Sequence, residues 1–184
     1  MTGKRSKAGV EKEPISRVVT LGEVDNESAC KVIGLIYEIN DEDLEKEKDR
    51  KPIKLIINSP GGDVYEGIGI IDAIKNSKTP IHVYVYGQAQ SMALAIAASG
   101  HYRFGSRRST FMYHEISWET SREKLKYHEQ EVKEGKRLWK VYDDVLIEST
   151  NITPEFLKKI RKEQGECYMT AQEALEYNII DEIL

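Results

Sequence analysis

Between residues 53 and 100 the hydrophobic pattern switches repeatedly between two periods, and each switch falls on a glycine or proline. Ile53 to Ile57 is an apolar strand that runs straight into Asn58-Ser59-Pro60-Gly61-Gly62. Val64, Ile68, Ile71 and Ile74 then repeat at helical spacing. Thr79-Pro80 breaks that helix. Ile81, Val83 and Val85 alternate with His82, Tyr84 and Tyr86, the signature of a strand, which Gly87 is expected to end. A helix of small residues (Ala93, Ala95, Ala97, Ala98) starts near Ser91 and closes at Gly100. Strands alternating with helices restrict the chain to an α/β fold built from βαβ units, because parallel strands need crossover connections.

The flanking segments extend this pattern. Residues 1–16 are polar, carry Lys4, Arg5, Lys7 and Lys12, and read as a tail before a single domain over 17–184. Arg17 to Leu21 reads as a strand ended by Gly22, with Asn26 capping a helix that presents Ala29, Val32, Ile33 and Ile36. The mixed charges of 40–51 predict a solvated loop. Thr110 to Tyr113 is a strand ending at His114. About 120–149 forms a long charged helix with an apolar stripe of Leu125, Val132, Trp139, Tyr142 and Leu146. At ~45 Å, a helix of ~30 residues would project beyond the globular part. Thr153-Pro154 and Thr170…Glu173 mark two further helix starts, the second a capping box. Ile179-Ile180 reads as the last strand.

Composition removes several functions. A formal net charge of -4 argues against nucleic-acid binding by the chain as a whole. Two cysteines, Cys30 and Cys167, do not make a disulfide framework and suit a reducing, cytoplasmic setting. No apolar run approaches the ~18 residues of a membrane span, and no signal peptide is evident. Metal-ligand clusters and a P-loop are both missing, so neither a metal nor a nucleotide cofactor is expected, and the chain should not hydrolyse ATP itself.

Chemistry concentrates at two strand-to-helix junctions. Gly61 and Gly62 let backbone amides approach a ligand or oxyanion closely, although a plain glycine turn reads the same way. Ser91 opens a helix after a strand, where α/β proteins place ligands and where free amides favour a developing oxyanion. The same position suits a helix N-cap, and local sequence leaves both readings open. A nucleophilic serine needs a base. Of the four histidines, His114 ends a strand in a junction like those of Ser91 and Gly62. His82 lies inside a strand, His101 follows a helix end, and His128 falls on the charged helix. Thirty-one Asp and Glu residues leave the acid of a triad open. Cys167 has no histidine nearby in sequence and reads as structural.

Taken in order, Ile57-Asn58-Ser59-Pro60-Gly61-Gly62, Gly87-Gln88-Ala89-Gln90-Ser91-Met92 and Met112-Tyr113-His114 resemble the proteolytic subunit of Clp protease. Tyr168-Met169-Thr170-Ala171-Gln172-Glu173-Ala174 through Tyr177-Asn178-Ile179-Ile180-Asp181 is similar to the family's C-terminal signature, so the resemblance runs over about 17–184. It implies a ClpP/crotonase-type fold of repeated ββα units, with the long helix as a projecting handle. It also implies a serine endopeptidase acting on polypeptides through an acyl-enzyme inside an oligomeric chamber. Ser91 then matches the nucleophile, His114 the base, and the amides of Gly62 and Met92 the oxyanion hole. The family's catalytic aspartate corresponds to Glu166, a departure of one methylene. A heptameric ring or stacked rings, and an AAA+ unfoldase as the source of any ATP dependence, are the partners implied.

Other departures accompany Glu166. Glu115-Ile116-Ser117-Trp118-Glu119 replaces a glycine-rich stretch after the base, residues 1–16 do not match the family's axial loop, and Lys54 and Asn76 stand near positions of aromatic docking pockets. Two alternatives follow: a catalytically weak or inactive assembly subunit of the same fold, and a crotonase-type acyl-CoA enzyme. The order of serine and histidine disfavours the latter.

Overall fold

The computed structural model describes residues 15–45, 49–115, 125–163 and 165–184. The tail up to residue 14, residues 116–124 and the side chain of Leu125 lie outside them. Among the described residues, β1 (Val18–Leu21), α1 (Asn26–Glu42), β2 (Ile53–Ser59), α2 (Val64–Asn76), β3 (Ile81–Gln90) and α3 (Met92–Ala98) follow one another in strict alternation. Then come β4 (Tyr102–Gly105), β5 (Thr110–His114), α4 (Leu125–Ser149), α5 (Pro154–Glu163), β6 (Glu166–Thr170), α6 (Ala171–Glu176) and β7 (Glu182–Ile183).

The strands form one mixed sheet in the order β1-β2-β3-β4-β7, with β5 pairing β3 and β6 pairing β5. The β5–β6 pair is antiparallel and the other pairs are parallel. Ile53, Leu55 and Ile57 stand beside Ile81, Val83 and Val85 in register, and all six are buried. That face meets the apolar sides of the helices in one core. Each such side chain contributes about 1.5–3 kcal/mol on burial. The opposite face carries His82 and Tyr84 of β3 beside Tyr102 and Phe104 of β4. Tyr84 stacks on Phe104 with centroids 4.5 Å apart, and Tyr102 lies 4.8 Å from Phe104. Lys54 pairs with His82 in register, so the rings sit next to a position where the sequence predicts a loss of aromatic surface.

Several boundaries differ from expectation. Gly87 does not end β3. With φ 83° it bends the strand, and an added Cβ would come within 2.7 Å of Asn58 Oδ1. Before the bend β3 pairs with β4, and after it Gln88–Gln90 pair with β5. This splitting of one strand between two neighbours brings β5 up to Ser91. Asp25, not Asn26, caps α1, through a reciprocal box with Ser28. The expected loop at 40–51 begins as helix. Asp43 is fully buried there, gripped by Arg17 at 2.6 and 2.8 Å and by Thr79 Oγ1 at 3.1 Å. A carboxylate with three donors tolerates burial that an unpaired one would not.

Ile179 and Ile180 are buried but not strand; the last strand is Glu182–Ile183. Arg103 lies in β4 and is also buried. It donates to Asp181, Asn178 and the carbonyls of Ala98 and Ser149. On α4, Leu138, Tyr142 and Leu146 are buried, whereas Val132, assigned to the apolar stripe from spacing, is 55% exposed. The C-terminal part of this helix therefore packs on the domain. The Thr170–Glu173 capping box forms as the sequence predicts.

Candidate active site

Ser91 joins β3 to α3 with φ 52° and ψ -129°. A non-glycine residue here is strained by about 1–3 kcal/mol and persists only where its surroundings over-determine it. Three hydrogen bonds do so. The Ser91 amide donates to Met112 O on β5 at 2.9 Å. The Ser91 carbonyl accepts from Leu94 N at 2.9 Å and from Tyr142 Oη at 3.1 Å. Ser91 occupies the N-cap position of α3, as one reading of the sequence expects, but its side chain makes no capping bond. Its Oγ instead lies 2.7 Å from His114 Nε2. Both residues are partly buried. With the proton of the imidazole on Nδ1, Nε2 accepts from the serine hydroxyl, the geometry of a nucleophile and its base.

The glycine junction packs against this elbow. A Cβ on Gly61 (φ 98°) would come within 2.7 Å of Ser91 Cβ and 3.2 Å of Met92 N. One on Gly62 (φ 147°) would come within 2.2 Å of Val24 O. Only glycine fits either position. Gly62 bridges Val24 through Gly61 O and Asp63 N, a pairing that does not use the Gly62 amide. The backbone after β2 and the start of α3 thus meet beside Ser91.

Glu166 stands directly opposite His114 in the β5–β6 register. Its side chain is exposed, and no hydrogen bond among the described residues joins it to the imidazole. Its charge instead raises the pKa of Tyr168, two residues along the strand. The other described histidines lie away from Ser91. His101 Nδ1 accepts from Ile81 N at 3.1 Å, and burial lowers its pKa. Burial also lowers His82, and His128 sits 4.0 Å from Glu131 on α4. Cys167 is half-buried, which raises its pKa and makes thiolate chemistry less accessible.

Sequence reasoning missed the polar cluster behind β5. Tyr113 Oη donates to Asp143 Oδ1 at 2.8 Å, and Arg161 Nη1 donates to Tyr113 Oη at 2.9 Å and to Asp143 Oδ2 at 2.5 Å. Burial pushes the Tyr113 phenol up to about 12. The Arg161 guanidinium lies 4.9 Å from the Trp139 ring centroid. Trp139 and Tyr142 were visible in the sequence only as part of an apolar stripe, because helical spacing says nothing about where a hydroxyl points.

The fold and its paired strand-to-helix junctions are those of a hydrolase of the Clp type. The family model described as Clp protease matches residues 12–184, and the chain belongs to that family. Among curated relatives it is similar to ATP-dependent Clp protease proteolytic subunit 2 of Prochlorococcus marinus (strain MIT 9312), with 30% identity over 92% of this chain and 82% of the relative. It is 33% identical to the ATP-dependent Clp protease proteolytic subunit of Mesostigma viride, over 91% of this chain and 71% of the relative. Proteolytic subunit 1 of Prochlorococcus marinus (strain NATL2A) is 29% identical over 91% and 83% of the two chains. These relationships support a peptidase role. No helix among the described residues is long and apolar enough to cross a membrane.

Proposed function

We propose that the chain is a serine endopeptidase subunit that cleaves polypeptides through an acyl-enzyme. The observation that carries this reading is the 2.7 Å contact between Ser91 Oγ and His114 Nε2 at a serine held at positive φ. Ser91 Oγ attacks the scissile carbonyl carbon as its proton passes to His114 Nε2. The amides of Gly62 and Met92 receive the oxyanion, and each such donor is worth about 10²–10³ in rate. The tetrahedral adduct collapses, the C–N bond breaks, and the amine leaves with the proton from His114. Water, deprotonated by the same imidazole, then attacks the acyl carbon and releases Ser91. Glu166, facing His114 across β5 and β6, is the acid assigned to the imidazole Nδ1. No cofactor takes part. The working form on this reading is a homo-oligomeric chamber, a heptameric ring or stacked rings in the cytoplasm. Any dependence on ATP enters through an AAA+ unfoldase.

One observation favours a second reading, a catalytically weak assembly subunit: the Glu166 carboxylate does not hydrogen-bond His114. Labelling of the assembled protein with a fluorophosphonate probe separates the two. An active serine peptidase labels, and Ser91→Ala and His114→Ala each abolish the label. An assembled protein that stays unlabelled would leave the scaffold reading.

A further inference from the structure

The strained backbone of Ser91 requires something to hold it, and two of its three hydrogen bonds come from neighbouring backbone. The third comes from a side chain 51 positions later, on a different element. Tyr142 Oη donates to Ser91 O at 3.1 Å from a site only 2% exposed. Its ring stacks on Tyr113 with centroids 5.5 Å apart and an interplanar angle of 5°. Burial holds the phenol in its protonated, donating form well beyond the ordinary range. Behind the ring pair, the Tyr113 hydroxyl donates to Asp143 and accepts from Arg161, on the side of Tyr113 away from the Ser91 contact. The elbow is therefore clamped on both sides: its amide by β5, the strand that carries His114, and its carbonyl by α4.

We infer that Tyr142 is a positioning residue for Ser91, acting through its hydroxyl on the Ser91 carbonyl to keep Oγ aligned with His114 Nε2. The inference rests on the peptidase reading above. Without the hydroxyl, the ring still fills its place against Tyr113, but the elbow loses one of the restraints on its unfavourable φ. Conformers with Oγ turned away from Nε2 then gain population. Such a change lowers the rate of acylation without altering substrate contacts, since Tyr142 touches the nucleophile's backbone and lies in the core.

The test compares Tyr142→Phe with Tyr113→Phe in the full, assembled chain, with rates normalised to sites titrated by a fluorophosphonate. Tyr142→Phe should acylate about five- to tenfold more slowly, the effect of one lost hydrogen bond, with a matching fall in kcat and KM within about twofold. Tyr113→Phe removes a hydroxyl of the structural cluster and keeps the ring stack. It should acylate at the unmutated rate while its Tm falls by about 2–6 °C. Unmutated protein that does not label would overturn the peptidase reading itself. If the unmutated protein labels and Tyr142→Phe labels equally fast per site, the peptidase reading stands and the role of Tyr142 is overturned. Equal slowing in both variants, tracking their loss of Tm, would also overturn it by reducing Tyr142 to a packing residue.

Discussion

At the scale of single residues, the site depends on backbone geometry that few side chains tolerate. Gly61 adopts φ 98°, and a Cβ added there would lie 2.7 Å from Ser91 Cβ and 3.2 Å from Met92 N. Gly61→Ala should lower peptidase activity by about 10²-fold or more, because the methyl group enters the space beside the amide assigned to the oxyanion. Gly22→Ala is the control, since nothing lies within 4 Å of the added carbon, and it should leave activity unchanged. Acylation rates per titrated site, with Tm measured in parallel, distinguish a filled site from an unfolded one. Glu166 is assigned to His114 only through the family resemblance. The cross-strand register sets the two residues directly opposite, where Cβ atoms lie about 4.5–5.5 Å apart. Which way its carboxylate turns is a rotamer matter that sequence does not address.

At the scale of elements, α4 has two regimes. Leu138, Tyr142 and Leu146 are buried, while Val132 is exposed. Leu146→Ala should therefore cost about 2–5 kcal/mol by transfer and cavity terms, and Val132→Ala within about 0.5 kcal/mol of nothing, read from urea or thermal unfolding. Equal costs would mean that the outer part of the helix is packed as firmly as the inner. Capping offers a second check. Thr170 accepts from Glu173 N and Glu173 reaches back to Thr170 N at 2.8 Å, so Thr170→Ala should cost about 1 kcal/mol. That box could be read directly from the sequence, since it is a local spacing rule. The start of α1 was misplaced by one residue, because Asp25 and Asn26 are both good caps and only the bond to Ser28 N distinguishes them.

At the scale of the whole molecule, Arg103 gathers distant segments around one guanidinium. It reaches Asp181 at 2.6 and 2.9 Å, Asn178, and the ends of α3 and α4. Arg103→Met should cost about 3 kcal/mol or more, since removing one partner leaves a half-buried charge and several carbonyls unanswered. Burial pushes the Asp181 carboxyl up, but the hydrogen bonds and charge of Arg103 together outweigh it and hold it below its ordinary 3.8. A carboxylate whose folded pKa is depressed stabilises the protein above its unfolded pKa, and that stability is lost as pH falls through the folded value. The urea midpoint should therefore fall on acidification below about pH 4, and Asp181→Asn should flatten this part of the profile. A midpoint with the same acid dependence in both proteins would show that other carboxylates dominate.

The alternation of elements, the apolar faces of β2 and β3, and the order of the glycine, serine and histidine junctions could all be read along the chain. These are written in local periodicity and in residues with narrow conformational preferences, such as Gly61, Gly62 and Pro154. The sequence also made Ser91 and His114 candidates, but as one reading among others, since an N-cap serine and a structural histidine look the same along the chain. That β3 continues past Gly87 to divide between β4 and β5 emerges from the packed fold. The fold likewise decides that Asp43 and Arg103 are buried with partners, and that Tyr142 reaches Ser91. Each of these depends on groups 20 to 80 positions apart meeting in a packed interior, where desolvation makes every polar group find a partner. Spacing along the chain carries no record of which one it finds.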